Sequence, residues 1–223
     1  MPSKVLVVAA HPDDEVLGCG GTIKSLSLRG AEVGVVFLAD GESSRETVTK
    51  TSCQSRRSAA LEAGKILGFE CLEFFNFPDN RLDSLPLLEI TQALEGVLSS
   101  FEPSIVLTHF GNDLNIDHCS CSRAVITACR PFSYDFVEEI LAFDVASSTG
   151  LFAGADSFNP TIFQDISATL EFKMSALDAY AAEMRPFPHP RSHEGVKILA
   201  QQRGMAANLI YAEAFQPLRI IRR

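Results

Sequence analysis

Residues 10–15 read Ala-His-Pro-Asp-Asp-Glu, which gathers one imidazole and three carboxylates into a single short stretch. His11 and Asp14 are three apart, close enough in a tight turn to hold one cation, so both are candidate metal ligands. Asp13 lies between them and can face a water on that cation. A bound metal lowers the pKa of its water from about 16 toward about 7, and a carboxylate beside that water can take its proton. That is the chemistry of metal-assisted hydrolysis, with Asp13 as candidate general base. Acidic residues also gather in the first turn of ordinary helices, as caps and partners of the macrodipole. Such a role accounts for one or two of the acids, Glu15 foremost as an acceptor for turn amides. It leaves a histidine, the proline after it and a third acid unexplained.

The elements around this stretch place it. The apolar run 5–9 reads as a buried parallel strand, and Gly18, Gly20 and Gly21 lead into a helix-like segment. Further strands are expected at 33–38, 71–75, 105–107 and 140–143, with helices at 53–67, 86–101 and 118–129. This alternation predicts an α/β fold, a doubly wound, Rossmann-like and mainly parallel sheet with helices on both faces. Right-handed crossovers put the C-terminal strand ends on one common edge, where such sheets bind ligands. A catalytic zinc site takes three protein ligands and leaves a position for water. The third should come from another strand end, and His118, opening the helix after the fourth strand, is the candidate. In the last third, 161–163 is a possible short strand and Ser167 a cap for a helix to about 183. Three prolines keep 185–192 out of a helix. A helix over 193–211 and an edge strand within 214–221 complete a single domain, with core 1–145 and a C-terminal helical and strand addition, 146–223.

His11-Pro12-Asp13-Asp14-Glu15 after the first strand and Asp113-Leu114-Asn115-Ile116-Asp117-His118 after the fourth resemble the PIG-L/LmbE-like family of zinc-dependent N-acetylglucosaminyl deacetylases. The resemblance extends from the first strand through residues 211–215. It implies Zn2+ on His11, Asp14 and His118, with Asp13 as base and an N-acetylated amino sugar as substrate. Iron(II) suits a His-Asp-His set with open positions equally well. The family's second motif often reads His-x-x-His, and the first of that pair is Asn115 here. An asparagine can donate a hydrogen bond to an oxyanion but no proton at neutral pH. His109 and His189 are therefore candidates for proton delivery. The resemblance associates Arg56 and Asp79 with sugar binding, a forked donor and an acceptor suited to hydroxyl pairs. The match around Arg56 is partial, because Ala59 stands where the Arg-x-x-Glu pattern has its acid. Glu42 is a further candidate contact, as is Arg191 in a stiff 188–192 segment placed to cover the cleft.

Whole-chain properties narrow the classes. With 223 residues and 46% hydrophobic content, the chain can bury a full core. A formal net charge of -9 argues against nucleic acid or an anionic membrane as the main partner. There is no membrane-length apolar run and no signal-peptide pattern at the start. Six scattered cysteines without a Cys-x-x-Cys pair read as free thiols, and a cytoplasmic location is expected. The resemblance also makes a homo-oligomer possible. Two other readings stand beside the hydrolase. One is a nucleotide-binding module using Gly18-x-Gly20-Gly21, although that spacing falls short of the full dinucleotide fingerprint and the carboxylates would repel phosphate. The other is a catalytically inactive metal-binding protein, which Asn115 keeps open.

Overall fold

The computed structural model describes residues 3–45, 50–151 and 157–222. Strand β1 (Lys4–Ala9) is buried on both faces. Val5, Val7 and Ala9 join one hydrophobic cluster, and Leu6 and Val8 join another. A strand sandwiched this way needs apolar residues at every position, which is why the run is continuous. Helices α1 (Asp14–Leu28), α2 (Lys50–Leu67) and α5 (Leu170–Ala179) cover the first face, and α3 (Leu87–Phe101) and α4 (Ile116–Ala128) cover the second.

The remaining strands are β2 (Glu32–Ala39), β3 (Glu70–Phe77), β4 (Ile105–His109), β5 (Glu139–Phe143), β6 (Ile162–Asp165) and β7 (Ala212–Ile220), in the sheet order β3-β2-β1-β4-β5-β7-β6. The first five are parallel, and β7 pairs antiparallel with both β5 and β6. The order reverses between β1 and β4, so this pair forms the topological switch point.

The addition departs from expectation in four ways. The tail is not an edge strand, because β6 pairs along its outer side. Ser167, the expected cap of this helix, instead donates its hydroxyl to Asp165 at 2.6 Å, and the helix starts at Leu170 with Thr169 in the N-cap position. Its C-terminus comes at Ala179, and the last helix, α6 (His193–Met205), stops before a turn with Asn208 at φ 57°.

The glycines after the first motif serve packing. A Cβ on Gly18 would lie 2.2 Å from the Phe143 ring, and one on Gly21 would lie 2.7 Å from Ile166. Both let α1 approach neighbouring elements closely, so neither offers the open backbone a phosphate loop needs. Glu213 of β7 accepts hydrogen bonds from the Gly21 and Thr22 amides at 2.9 and 2.7 Å, and its Oε1 lies 2.6 Å from Lys173 Nζ. Both members of this ion pair are buried. Removing one partner from such a pair strands the other, so Glu213→Ala is expected to destabilise the fold by about 3–5 kcal/mol in denaturant unfolding.

Candidate active site

The chain leaves β1 through a turn that forces Asp13 to φ 122°, a region that favours glycine. A residue held there costs roughly 1–3 kcal/mol and persists only when its surroundings over-determine it. Here they do. Glu15 Oε2 accepts from the Asp13 amide at 2.9 Å, while Glu15 Oε1 accepts from the Tyr180 hydroxyl at 2.6 Å. Burial pushes the Glu15 carboxyl up to about 8, against those two hydrogen bonds.

His11 follows β1, Asp14 opens α1, and His118 lies in the first turn of α4, beyond the end of β4. One ligand atom from each lies within 4.8 Å of the other two, and all three residues are buried. Asp14 Oδ1 and His118 Nε2 have no hydrogen-bond partner among the described residues. Buried polar atoms without hydrogen bonds are costly unless something satisfies them; His118 Nε2 lies 3.4 Å from Asp14 Oδ2, and a divalent cation shared by the two residues would satisfy both side chains. The donor set thus fits a metal.

Carboxylates orient both imidazoles from behind. His118 Nδ1 lies 3.3 Å from Asp113 Oδ1 and 3.3 Å from the Ser148 hydroxyl. His11 Nε2 lies 2.9 Å from Asp117 Oδ2 and 3.2 Å from Asp79 Oδ1. Asp117 is itself fixed by the Leu82 amide at 2.9 Å and the Asn80 amide at 2.7 Å. Such partners fix ring orientation and tautomer. His11, Asp79 and Asp117 also lie close enough to share a cation, but the two carboxylates already accept backbone and serine donors.

The electrostatics follow this layout. Burial raises Asp14, yet His118, His109 and His11 together hold it well below the usual carboxylate range. Burial works against charge on His11, but hydrogen bonds to Asp117, Asp14 and Asp79 push it well above the ordinary imidazole value. His118 is raised against the same burial by Asp14 and Asp113. Asp79 is lowered to about 2, because bonds from His11 and Ser44 outweigh its burial.

His109 sits differently from the expectation of a proton donor. Its ring stacks on His118 with centroids 3.9 Å apart, and its Nε2 accepts from the Ala10 amide at 2.9 Å. Burial, and then the neighbouring His118, push it well below the usual imidazole range. It packs behind His118, with its Nδ1 unpartnered among the described residues.

Asp13 points one oxygen each way. Its Oδ2 lies 3.0 Å from Arg191 Nη1 and 3.2 Å from Arg56 Nη2, and its Oδ1 has no partner among the described residues. Burial raises the carboxyl, the two guanidiniums oppose that, and Asp14 adds to the rise, leaving a net upward shift. Arg56 also donates to the Pro12 and Gly41 carbonyls at 2.9 and 2.6 Å and lies 3.2 Å from Glu42.

Three expected substrate contacts, Arg56, Asp79 and Glu42, are thus buried and engaged with protein groups, although Arg56 and Glu42 also line a cavity of about 500 Å³. The sequence identified their types, not which way they face. Arg191 does reach an open cavity of about 560 Å³, which Asn115, Ser147, Ser148, Glu183, Arg185 and His189 also line. Asn115 Oδ1 accepts from the Asp117 amide at 2.9 Å as the N-cap of α4. His189 is exposed, and its Nδ1 accepts from the Arg191 amide at 3.0 Å. Sequence reasoning missed Asp113, Asp117, Tyr180 and Glu183. The first two stand inside the second motif, where a carboxylate next to a ligand histidine is a usable signal. The other two carry no local signature.

A doubly wound sheet with, at its switch point, a His-Asp-His group able to hold a cation and a spare aspartate defines a class of α/β proteins with a candidate metal site. The chain belongs to the PIG-L family, whose profile, described as GlcNAc-PI de-N-acetylase, matches residues 6–129. It is 30% identical over 167 residues to the uncharacterized deacetylase YaiS of Escherichia coli K12, covering 73% of this chain and 81% of YaiS. It is 25% identical over 190 residues to a probable N-acetyl-alpha-D-glucosaminyl L-malate deacetylase 2 of Bacillus cereus, covering 82% and 84% of the two chains. Among solved structures, the 4-carboxy-2-hydroxymuconate hydratase GalB of Pseudomonas putida superposes with a TM-score of 0.77 at 25% identity, over 99% of each chain. Among the described residues, no helix is long and apolar enough to cross a membrane.

Proposed function

We propose that this protein is a metal-dependent deacetylase that hydrolyses the acetamide of an N-acetylated amino sugar of the N-acetylglucosamine type, with zinc the default cation and iron(II) compatible. One observation carries the reading. Asp13 stands between His11 and Asp14 in the chain, and its Oδ1 is unpartnered among the described residues, as are Asp14 Oδ1 and His118 Nε2 of the His11, Asp14 and His118 group. A divalent cation held there supplies Lewis acidity, activating water and polarising the amide carbonyl.

The chain's own residues supply the rest. Asp13 takes a proton at Oδ1, while Arg56 and Arg191 fix Oδ2 and hold the carboxyl in place. Asn115 keeps Oδ1 on the Asp117 amide, which leaves its Nδ2 to donate to the developing oxyanion from the cavity wall. The leaving amine recovers a proton from Asp13 or from His189, whose Nδ1 is taken by the Arg191 amide and whose Nε2 is the nitrogen left for transfer. Arg191 and the cavity lip meet the sugar, while Asp79 orients His11 and Glu42 backs Arg56. The family description and the two deacetylase relatives support this chemistry. We place the protein in the cytoplasm, acting on a small amino sugar or glycoconjugate and able to form homo-oligomers.

The likeness to GalB favours a second reading, addition of water to an unsaturated carboxylic acid by the same grip and base. Zinc-reconstituted protein should release free amine from at least one of a panel of N-acetylglucosamine glycosides, nucleotide sugars and glycolipids. Chelator should stop the release and zinc should restore it. Full metal occupancy with no amine from any member would overturn the deacetylase. Loss of absorbance from an unsaturated dicarboxylate would then point to the hydratase, and silence in both assays to a metal-binding protein without activity.

A further inference from the structure

Glu183 lies between α5 and α6, far in sequence from the motifs, and is buried. Its carboxylate meets three guanidiniums: Arg45 at 2.8 Å, Arg56 at 3.3 Å and Arg191 at 3.6 Å. Arg56 and Arg191 are the two groups that fix Asp13 Oδ2. Two guanidiniums on one carboxylate oxygen repel each other in a buried place unless a second anion lies between them. Glu42 touches Arg45 and Arg56 but has no contact with Arg191, so Glu183 is the anion that joins both sides. Its placement is coupled to the strained turn as well. The Glu183 amide donates to the Tyr180 carbonyl at 2.8 Å, and the Tyr180 hydroxyl donates to Glu15, which holds the Asp13 amide.

We infer that Glu183 is a positioning residue: it clamps Arg56 and Arg191 onto one oxygen of Asp13 so that the other stays aimed at the reacting water. This rests on the assignment of Asp13 as base. The neighbourhood provides an independent control. Ala59 lies three residues after Arg56 on α2, on the same face, and lines a cavity of about 500 Å³ together with Arg56 and Glu183. A carboxylate at position 59 would open onto the cavity that Arg56 and Glu183 line.

The test is a double-mutant cycle on the zinc-loaded full chain, with kcat and KM measured separately and metal content and Tm alongside. Glu183→Gln should lower kcat by about 10–100-fold, the range for a supporting residue, with KM within about twofold. Placed on Asp13→Asn, the same change should add less than about threefold, because the residue acts through Asp13. Ala59→Glu should recover part of the lost kcat in the Glu183→Gln background. An equal factor in both backgrounds would overturn the inference, as would a rise in KM at unchanged kcat, which marks a direct substrate contact. If Glu183→Gln does not fold, Glu183→Asp carries the same comparison. Wild-type turnover in Asp13→Asn alone would instead remove the base assignment, which separates the two failures.

Discussion

Replacing Asp13 with asparagine is expected to lower kcat by about 10²–10⁴-fold while bound metal stays at the wild-type level. Asparagine keeps the size of the side chain and one oxygen for the Arg56 and Arg191 guanidiniums, which lie 3.2 and 3.0 Å from Asp13 Oδ2. It also tolerates positive φ better than most residues, which matters at 122°. Alanine would confound the test by adding backbone strain and leaving both arginines without their partner. Only the capacity to take a proton is lost in the amide. The pH profile offers a second readout. Burial leaves Asp13 above the ordinary carboxylate value, and a base must be ionised, so activity should fall as pH drops through that raised pKa. Asp13→Asn should erase this acid limb. Amine-release kinetics and metal analysis on the same preparation check both points. Retained turnover with depleted metal would make Asp13 a structural residue.

The parts of the fold that the sequence disclosed are those where one local rule dominates. β1 and β2 are buried on both faces, so their apolar runs could hardly be read otherwise. The addition obeys longer-range rules. Pro217 and Arg219 make β7 look like an edge, since proline cannot donate to a ladder. Yet Pro217 pairs with Leu141 beside a register shift, an irregularity that lets an internal strand carry it. The helical pattern past Ala179 loses to burial of Tyr180, whose hydroxyl is needed on Glu15. The site divides the same way. His11 and Asp14 are near neighbours, and His118 lies in the first turn of the helix that follows β4, so spacing and topology pointed to the three together. Glu183 stands 138 residues from Arg45 and 127 (183 minus 56) from Arg56, and no periodicity marks it. Arg56 and Asp79 carried suitable chemistry, but whether a guanidinium faces a cavity or a wall depends on contacts from α1, β2 and the addition at once.

Stripping the metal with a chelator should reduce turnover by roughly 10³-fold or more, since Lewis acidity contributes several kcal/mol to such hydrolyses. The pH dependence of rebinding is the more discriminating part. Ligand imidazoles must be deprotonated to bind, so protons compete with the cation. A free imidazole stops competing above its ordinary value of about 6.5. In this site Asp117, Asp14 and Asp79 hold the proton on His11, and Asp14 and Asp113 hold that on His118, both to higher pH than usual. Asp14 is ionised throughout this range, because the histidines keep its pKa low. The sign is therefore fixed: raising the pH removes competing protons, and apparent zinc affinity should keep climbing above the ordinary imidazole value of about 6.5 instead of levelling there. Calorimetry in buffers of different ionisation enthalpy should show net proton release at pH 7. Asp117→Asn removes the closest carboxylate from His11, 2.9 Å away, and should shift the climb to lower pH while weakening the affinity reached at its plateau. A flat affinity above the ordinary imidazole value, with no protons released, would mean that His11 and His118 do not share the cation.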